Sequence, residues 1–101
     1  MITAEQVRER LEEVLDPELM IDIVNLGLIY DITVAEDGRL VTILMTLTTM
    51  GCPAFESMRQ EIVERIETLG VEQVNVHLTF DPPWSKERMS EEAQTIFRYL
   101  F

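Results

Sequence analysis

Hydrophobic and polar positions follow two different periods along the first half of the sequence. Across residues 3–15 the apolar positions recur every third or fourth residue, which is the period of a helix with one buried stripe. That stripe consists of Ala4, Val7, Leu11 and Val14, and Thr3 and Gln6 have the spacing of a capping box at the start of the helix. Residues 28–34 and 40–48 alternate instead, and Glu36-Asp37-Gly38 between them is a turn signal. The pattern therefore predicts a helix followed by a β-hairpin.

In the first predicted strand, every second residue is expected to share the apolar face. Those residues are Leu28, Tyr30, Ile32 and Val34. A second helix is predicted from Gly51-Cys52-Pro53 to about Leu69, where Gly70 ends it in a left-handed conformation. A third strand is predicted over residues 72–80.

Ser90 is predicted to cap a final helix. Its apolar stripe is Ala93, Ile96, Phe97 and Leu100. The element order α-β-β-α-β-α predicts one α+β domain over residues 1–101, with two layers. We expect a three-stranded mixed sheet with helices on one face and polar side chains on the other.

The net charge of the chain limits the classes of molecule that it is expected to bind. Eight Lys and Arg residues against 19 Asp and Glu residues give a net charge of −11. This charge disfavours nucleic acid or an anionic membrane surface as the partner. No apolar run approaches the ~20 residues of a membrane span, and no secretory signal pattern begins the sequence. We therefore expect a cytoplasmic protein, and the absence of a Gly-rich phosphate loop argues against nucleotide hydrolysis.

The single cysteine of the chain lies in its most informative segment, residues 48–53. This segment joins the predicted central strand to the second helix. Pro53 suits the first helical position, which places Cys52 at the N-cap, where the helix dipole lowers the pKa of a thiol. Gly51 permits a tight turn and the close approach of another molecule. The alternative is that Cys52 is a small buried hydrophobic residue.

Two further segments carry candidate side chains. Asp16-Pro17-Glu18-Leu19 places two carboxylates where they can bind a metal or transfer a proton, although Asp-Pro is also a common way to end a helix. Asp81-Pro82-Pro83-Trp84 is either a partner-binding ledge or a tryptophan that packs over the sheet edge. His77 is predicted on the polar strand face, and we assign it no role.

Four motifs together resemble one family. They are Asp16-Pro17-Glu18, residues 22–30, residues 47–53, and Phe80-Asp81-Pro82-Pro83-Trp84 followed by Met89-Ser90-Glu91-Glu92-Ala93. This combination resembles the PaaD-like or SufT-like proteins of iron–sulfur cluster assembly. The resemblance implies an accessory factor without turnover chemistry, in which Cys52 is the functional thiol and a ligand of iron. It also implies a site lined by Asp16, Glu18, Leu19, Thr48, Thr49, Gly51 and Pro53.

The cofactor implied by the resemblance is a transient iron–sulfur cluster or iron. Since such clusters normally take four cysteine ligands, one chain does not hold a cluster alone. A partner subunit, a client or a small thiol is expected to complete the ligand shell. Threonine hydroxyls are expected to donate hydrogen bonds to a sulfur ligand, while nearby carboxylates would raise the pKa of Cys52 against the effect of the helix dipole.

The expected partners are iron–sulfur carrier or scaffold proteins and client apoproteins, and an edge strand favours a homodimer. Phenylacetate-type members carry a cysteine-rich C-terminal extension that this sequence lacks, so the Suf-type branch is expected. Three alternatives stay open. The first is a metal-free adaptor between client and carrier, with Asp81 and Trp84 as its contacts. The others are an adaptor for a multicomponent oxygenase and a cysteine-dependent enzyme that handles persulfide.

Overall fold

A computed structural model describes residues 2–16, 19–48 and 55–100 of the chain. The helices are α1 (Ala4–Leu11), α2 (Phe55–Glu67) and α3 (Glu91–Leu100), and the strands are β1 (Ile29–Ala35), β2 (Leu40–Met45) and β3 (Gln73–Leu78). This order confirms the predicted α+β fold. No helix within the described ranges is both long and apolar enough to cross a membrane.

The sheet places β2 at its centre. β1 pairs with β2 in antiparallel orientation and β3 pairs with β2 in parallel orientation, which makes the sheet mixed as predicted. Val41, Ile43 and Met45 of β2 are fully buried on one face, where they join the buried residues of α1 and α2 in one core. The opposite face carries polar residues such as Thr42 and its β3 partner Asn75. α1 and α2 therefore cover one side of the sheet and leave the other side open.

The hairpin forms as predicted, but a β-bulge changes which side of the sheet one residue of its first strand faces. Ile29 pairs with Met45 and Asp31 pairs with Leu44, so Tyr30 is an extra residue that interrupts the alternation. Tyr30 is half-buried outside the core, and its hydroxyl donates a hydrogen bond to the backbone O of Pro82 at 2.8 Å. The prediction that Tyr30 shares the apolar face is therefore wrong.

α1 begins as its sequence predicts and ends earlier. Thr3 and Gln6 form a capping box, in which each side chain accepts a hydrogen bond from the backbone N–H of the other residue. The helix ends at Leu11 rather than at residue 15, and Ala4 is exposed rather than buried. Asp16-Pro17 is therefore not the signal that ends α1. Val14 still reaches the core, but it does so from the loop that follows.

That loop replaces the last predicted turn of α1 with long-range backbone pairing. Leu15 forms an isolated antiparallel bridge with Asp22, and the N–H of Ile23 donates to the O of Val14 at 3.0 Å. The segment that follows contributes four buried side chains to the core, namely Ile21, Ile23, Leu26 and Leu28. The sequence pattern predicted no element for the first three, and Leu28, predicted as the first residue of a strand, lies just before β1.

The chain after β3 forms a strap, which we define as residues 81–90. The indole N–H of Trp84 donates to the O of Leu26 at 2.7 Å, and the N–H of Ser90 donates to the O of Asn25 at 2.8 Å. Gly27 (φ +79°) lies directly beneath the backbone of Arg88. These contacts fix the strap to the segment that precedes β1.

α3 packs against the core through fewer residues than predicted. The hydroxyl of Ser90 accepts a hydrogen bond from the N–H of Ala93 at 3.1 Å, which confirms the predicted cap. Ala93 is buried and Phe97 packs against the core, but Ile96 is 44% exposed, so its place in the buried stripe is wrong. The side chain of Leu100 lies outside the described part of the structure.

The remaining elements end close to their predicted limits. β2 ends at Met45 rather than at residue 48, and β3 ends at Leu78 rather than at residue 80. α2 ends at Glu67, and its last turn closes at Gly70, whose φ of +90° confirms the predicted left-handed conformation.

Candidate functional site

Part of the predicted site lies outside the described residues. This part includes the predicted thiol and four of its neighbours, namely Cys52, Glu18, Thr49, Gly51 and Pro53. The predicted N-cap position of Cys52 and its ligand role therefore stay predictions. The described members of the site are Asp16, Leu19 and Thr48.

Asp16 is a buried carboxylate that its own loop holds in place. Its side chain accepts a hydrogen bond from the N–H of Leu19 at 3.1 Å, and the residue is only 5% exposed. Its backbone O accepts from the N–H of Met20 at 2.8 Å, while its N–H donates to Ile21. Because a buried carboxylate is costly unless it is hydrogen-bonded, this arrangement commits the loop to one conformation.

Leu19 shares the loop with Asp16 and turns towards the interior. Its side chain is half-buried and packs against the hydrophobic core. A hydrogen bond joins its N–H to Asp16, while the predicted place of both residues around Cys52 stays a prediction.

A series of backbone hydrogen bonds connects this loop to the end of the central strand. Ile23 donates to Val14 at 3.0 Å, Leu28 donates to Ile23 at 3.1 Å, and Thr46 donates to Leu28 at 2.8 Å. The loop that holds Asp16 and the strand end that precedes Thr48 therefore belong to one hydrogen-bonded unit. Thr48 itself is half-buried.

Thr46 is a candidate that the sequence analysis missed. It is fully buried, and its hydroxyl has no hydrogen-bond partner among the residues that the structure describes. A buried hydroxyl without a partner is costly, so such a group is often kept for function. The available signal was its place in a run with Thr48, since polar residues at the end of a central strand commonly form sites.

Two exposed apolar side chains flank Asp16. Leu15 is 45% exposed and Met20 is 65% exposed, and Met20 has a positive φ of 57°. A residue other than glycine rarely adopts this backbone conformation, and such strain concentrates at functional sites. The sequence analysis missed both residues because it interpreted this region as a helix end.

The two predicted partner-binding residues differ in their surroundings. Asp81 is exposed, whereas Trp84 is half-buried, packs against the core and donates its indole N–H to Leu26. Of the two interpretations of this segment, a structural role of Trp84 therefore has direct support. A groove of about 500 Å³ lies beside Asp81 and is also lined by Tyr30 and Arg88.

The described residues contain no group of three or more His, Asp and Glu side chains that is arranged to hold a metal ion. Asp16 is the one predicted acidic site residue with a described position, and His77 is exposed on β3. A metal in this region would therefore need at least one ligand from outside the described ranges or from another molecule.

Comparison with known proteins identifies the family. Residues 4–89 match the family described as iron–sulfur cluster assembly protein. The chain is 45% identical over 91 residues to the Fe-S protein maturation auxiliary factor YitW of Bacillus subtilis, covering 89% of this chain and 88% of YitW. It is 42% identical over 86 residues to the Fe-S protein maturation auxiliary factor SufT of Staphylococcus aureus, covering 80% of this chain and 92% of SufT.

A solved structure shares the fold. The crystal structure of a domain of unknown function from Bacillus anthracis superposes with a TM-score of 0.88 at 39% sequence identity. The match covers 94% of this chain and 91% of that domain. The family match, the two maturation factors and this structure agree with the motifs that first suggested the relationship. The chain belongs to the family of iron–sulfur cluster assembly proteins.

Proposed function

We propose that this protein is an accessory factor that helps to assemble iron–sulfur clusters or to transfer them to client apoproteins. The observation that carries the proposal is the loop that contains Asp16. There the buried, hydrogen-bonded Asp16 shares a loop with Leu15 and Met20, whose apolar side chains are exposed. A fixed carboxylate beside exposed apolar surface suits a site that another protein covers. The match to two maturation factors over most of their length supports the same function.

In this proposal the cluster is cargo, and Cys52 supplies one thiolate to it. One thiolate is an incomplete ligand set for a cluster, so a client, a carrier or a second copy of the chain supplies the others. A client with several cysteines offers a more complete ligand set than one thiolate, so transfer of the cluster to that client is favoured.

Leu15 and Met20 contribute the contact with the partner. Exposed apolar side chains gain about 25 cal/mol per Å² when a partner covers them. Methionine adapts to differently shaped surfaces, which suits a factor that meets more than one client.

Client activation tests the proposal. An apoprotein whose activity depends on a [4Fe–4S] cluster is incubated anaerobically with a loaded carrier and with this protein. We expect Cys52→Ser to reduce the rate of activation at least about tenfold, whereas Ser57→Ala, an exposed change on α2, leaves it unchanged. Equal rates for the wild type and Cys52→Ser would overturn the ligand role.

A metal-free adaptor is the second candidate, and the exposed side chain of Met20 favours it. An adaptor needs its contact surface rather than its thiol. If Cys52→Ser activates clients normally while Met20→Ser loses both client binding and activation, the adaptor is the correct function. The opposite result, in which Cys52→Ser binds the client and fails to activate it, supports cluster transfer.

A further inference from the structure

A groove at α3 lies outside the proposed cluster site. It has a volume of about 340 Å³, and we call it the α3 groove. Its lining residues are Lys86, Met89, Gln94, Phe97 and Arg98. Three of them are spaced three and four residues apart along α3, so they share one helix face, and the other two come from the strap.

The floor of the α3 groove is apolar and fixed. Met89 is 5% exposed, and Phe97 packs against the core. The amide of Gln94 donates a hydrogen bond to the backbone O of Met89 at 2.9 Å, which joins α3 to the strap. A preformed floor lowers the cost of binding, because few side chains must be ordered when a ligand enters.

The rim of the α3 groove carries two cations. The ammonium of Lys86 lies 5.0 Å from the centroid of the Phe97 ring, and Arg98 lies in the last turn of α3. Both side chains are exposed, and neither forms an ion pair within the described part of the chain. The groove therefore combines positive charge at its rim with an apolar floor.

Cations are scarce in this chain, in which only eight residues are Lys or Arg, against 19 Asp or Glu. Arg10, Arg59 and Arg65 each form an ion pair with a glutamate. Five cations form no ion pair within the described ranges, and two of these, Lys86 and Arg98, line the α3 groove together.

We propose that the α3 groove binds an acidic side chain next to an apolar one in a segment of a partner protein. The carboxylate would accept hydrogen bonds from Arg98 and Lys86, and the apolar side chain would enter the groove that Met89 and Phe97 line. Such charge-assisted hydrogen bonds are roughly twice as strong as neutral ones. The identity of the partner as a client or carrier rests on the proposed function, whereas the chemistry of the groove does not.

Charge favours a single carboxylate over a polyanion. At physiological salt the interaction between exposed charges is screened beyond about 8 Å, so the two rim cations act on one carboxylate more strongly than the acidic residues farther away do. Glu87 is the acidic residue that interacts with Lys86, and it leaves Arg98 as the stronger contact. A nucleic acid would present many phosphates to a chain with a net charge of −11, and these phosphates would be repelled.

Two blocked pentapeptides test the proposal. One has a glutamate between two leucines, and the other has glutamine in its place. Each is titrated into the ¹⁵N-labelled full chain, and the amide shifts are followed by NMR. We expect shifts around Gln94 and Arg98, with the glutamate peptide bound about tenfold more tightly than the glutamine peptide. Equal affinity for both peptides, or shifts confined to other surfaces, would overturn the proposal.

Variants of the two rim cations test whether these cations bind the carboxylate of the peptide. Arg98→Gln and Lys86→Gln should each weaken binding of the glutamate peptide several-fold and leave the glutamine peptide unaffected. Arg59→Gln, an exposed change on α2, should leave both affinities unchanged. If Arg98→Gln and Lys86→Gln both bind the glutamate peptide as the wild type does, the groove is not the binding site.

The outcomes for the α3 groove and for Cys52 are independent. Cys52→Ser should bind the glutamate peptide as the wild type does, whatever its effect on client activation. Loss of peptide discrimination in an otherwise active wild-type protein would count against the groove alone. Normal client activation by Cys52→Ser would count against cluster ligation alone.

Discussion

Gly27 shows how one residue fixes the strap to the body of the protein. Its φ of +79° is a left-handed conformation, and a Cβ at this position would overlap the backbone of Arg88. We predict that Gly27→Ala lowers the free energy of unfolding by about 2–4 kcal/mol, because backbone strain adds to a forced displacement of the strap. Urea denaturation followed by circular dichroism measures the change.

Gly70 is the matched control for that prediction. Its φ of +90° is equally left-handed, but no atom lies within 4 Å of an added Cβ. Gly70→Ala should therefore lower the free energy of unfolding by about 1 kcal/mol, through backbone strain alone. Equal losses for the two variants would show that the contact with Arg88 contributes nothing.

Thr46 is a residue at which stability and function should respond in opposite directions. Its hydroxyl is fully buried and has no partner among the described residues, so an isosteric valine removes an unsatisfied polar group. We predict that Thr46→Val raises the free energy of unfolding by about 1 kcal/mol and slows client activation. Thr42→Val, on the open face of β2, serves as the control and should change neither quantity by much. A loss of stability in Thr46→Val would contradict the prediction.

At the scale of elements, the strap depends on Trp84. The residue contributes a hydrogen bond to Leu26 and apolar contact with the core. We predict that Trp84→Phe costs about 2 kcal/mol of stability, since it loses the hydrogen bond and part of the apolar contact of the indole, and that Trp84→Ala costs about 4 kcal/mol. Thermal unfolding of the two variants measures the difference.

Because the strap depends on Trp84, a test of the predicted partner-binding ledge needs a substitution that leaves the strap intact. Trp84→Ala would reduce partner binding through a loosened strap even if Trp84 never touched a partner. Asp81→Asn is the cleaner change, because Asp81 is exposed. If Trp84→Ala were as stable as the wild type, the structural role of Trp84 would be wrong.

The sequence pattern predicted which helices and strands form more accurately than it predicted the residues at which they end. Local periodicity is sufficient to locate six helices and strands, and the capping residues Thr3 and Ser90 were also identified correctly. The end of α1 was wrong because Val14 and Leu15 pair with residues about eight positions later, and this long-range pairing overrides the helical period. A bulge such as the one at Tyr30 leaves no periodic signal in the sequence. The side of the sheet on which Tyr30 lies could therefore not be predicted from the alternation of apolar and polar residues.

The same limit applies to the site. The family resemblance suggested Asp16 and Leu19, which a hydrogen bond joins in the structure, but their place in a site stays a prediction. Thr46, Leu15 and Met20 were missed, because their roles depend on burial and exposure that arise only when the loop folds back. A threonine in a strand is ordinary in sequence, and only its burial without a described partner makes it a candidate.

At the scale of the whole molecule, the net charge of −11 opposes the compact state. Two like charges about 10 Å apart repel by about 0.4 kcal/mol in water, and many such pairs exist on this surface. The described ion pairs, such as Arg59–Glu56 and Arg65–Glu13, are largely solvent-exposed, so each contributes at most about 1 kcal/mol. Repulsion among the unpaired acidic residues should therefore outweigh the ion pairs.

We predict that raising NaCl from about 10 mM to about 150 mM increases the urea midpoint, because the Debye length falls from about 30 Å to about 8 Å. A variant that combines Glu9→Gln with Glu12→Gln should show a smaller increase, since it removes two exposed acidic residues that form no ion pair within the described ranges. A midpoint that falls as salt is added would mean that the ion pairs dominate.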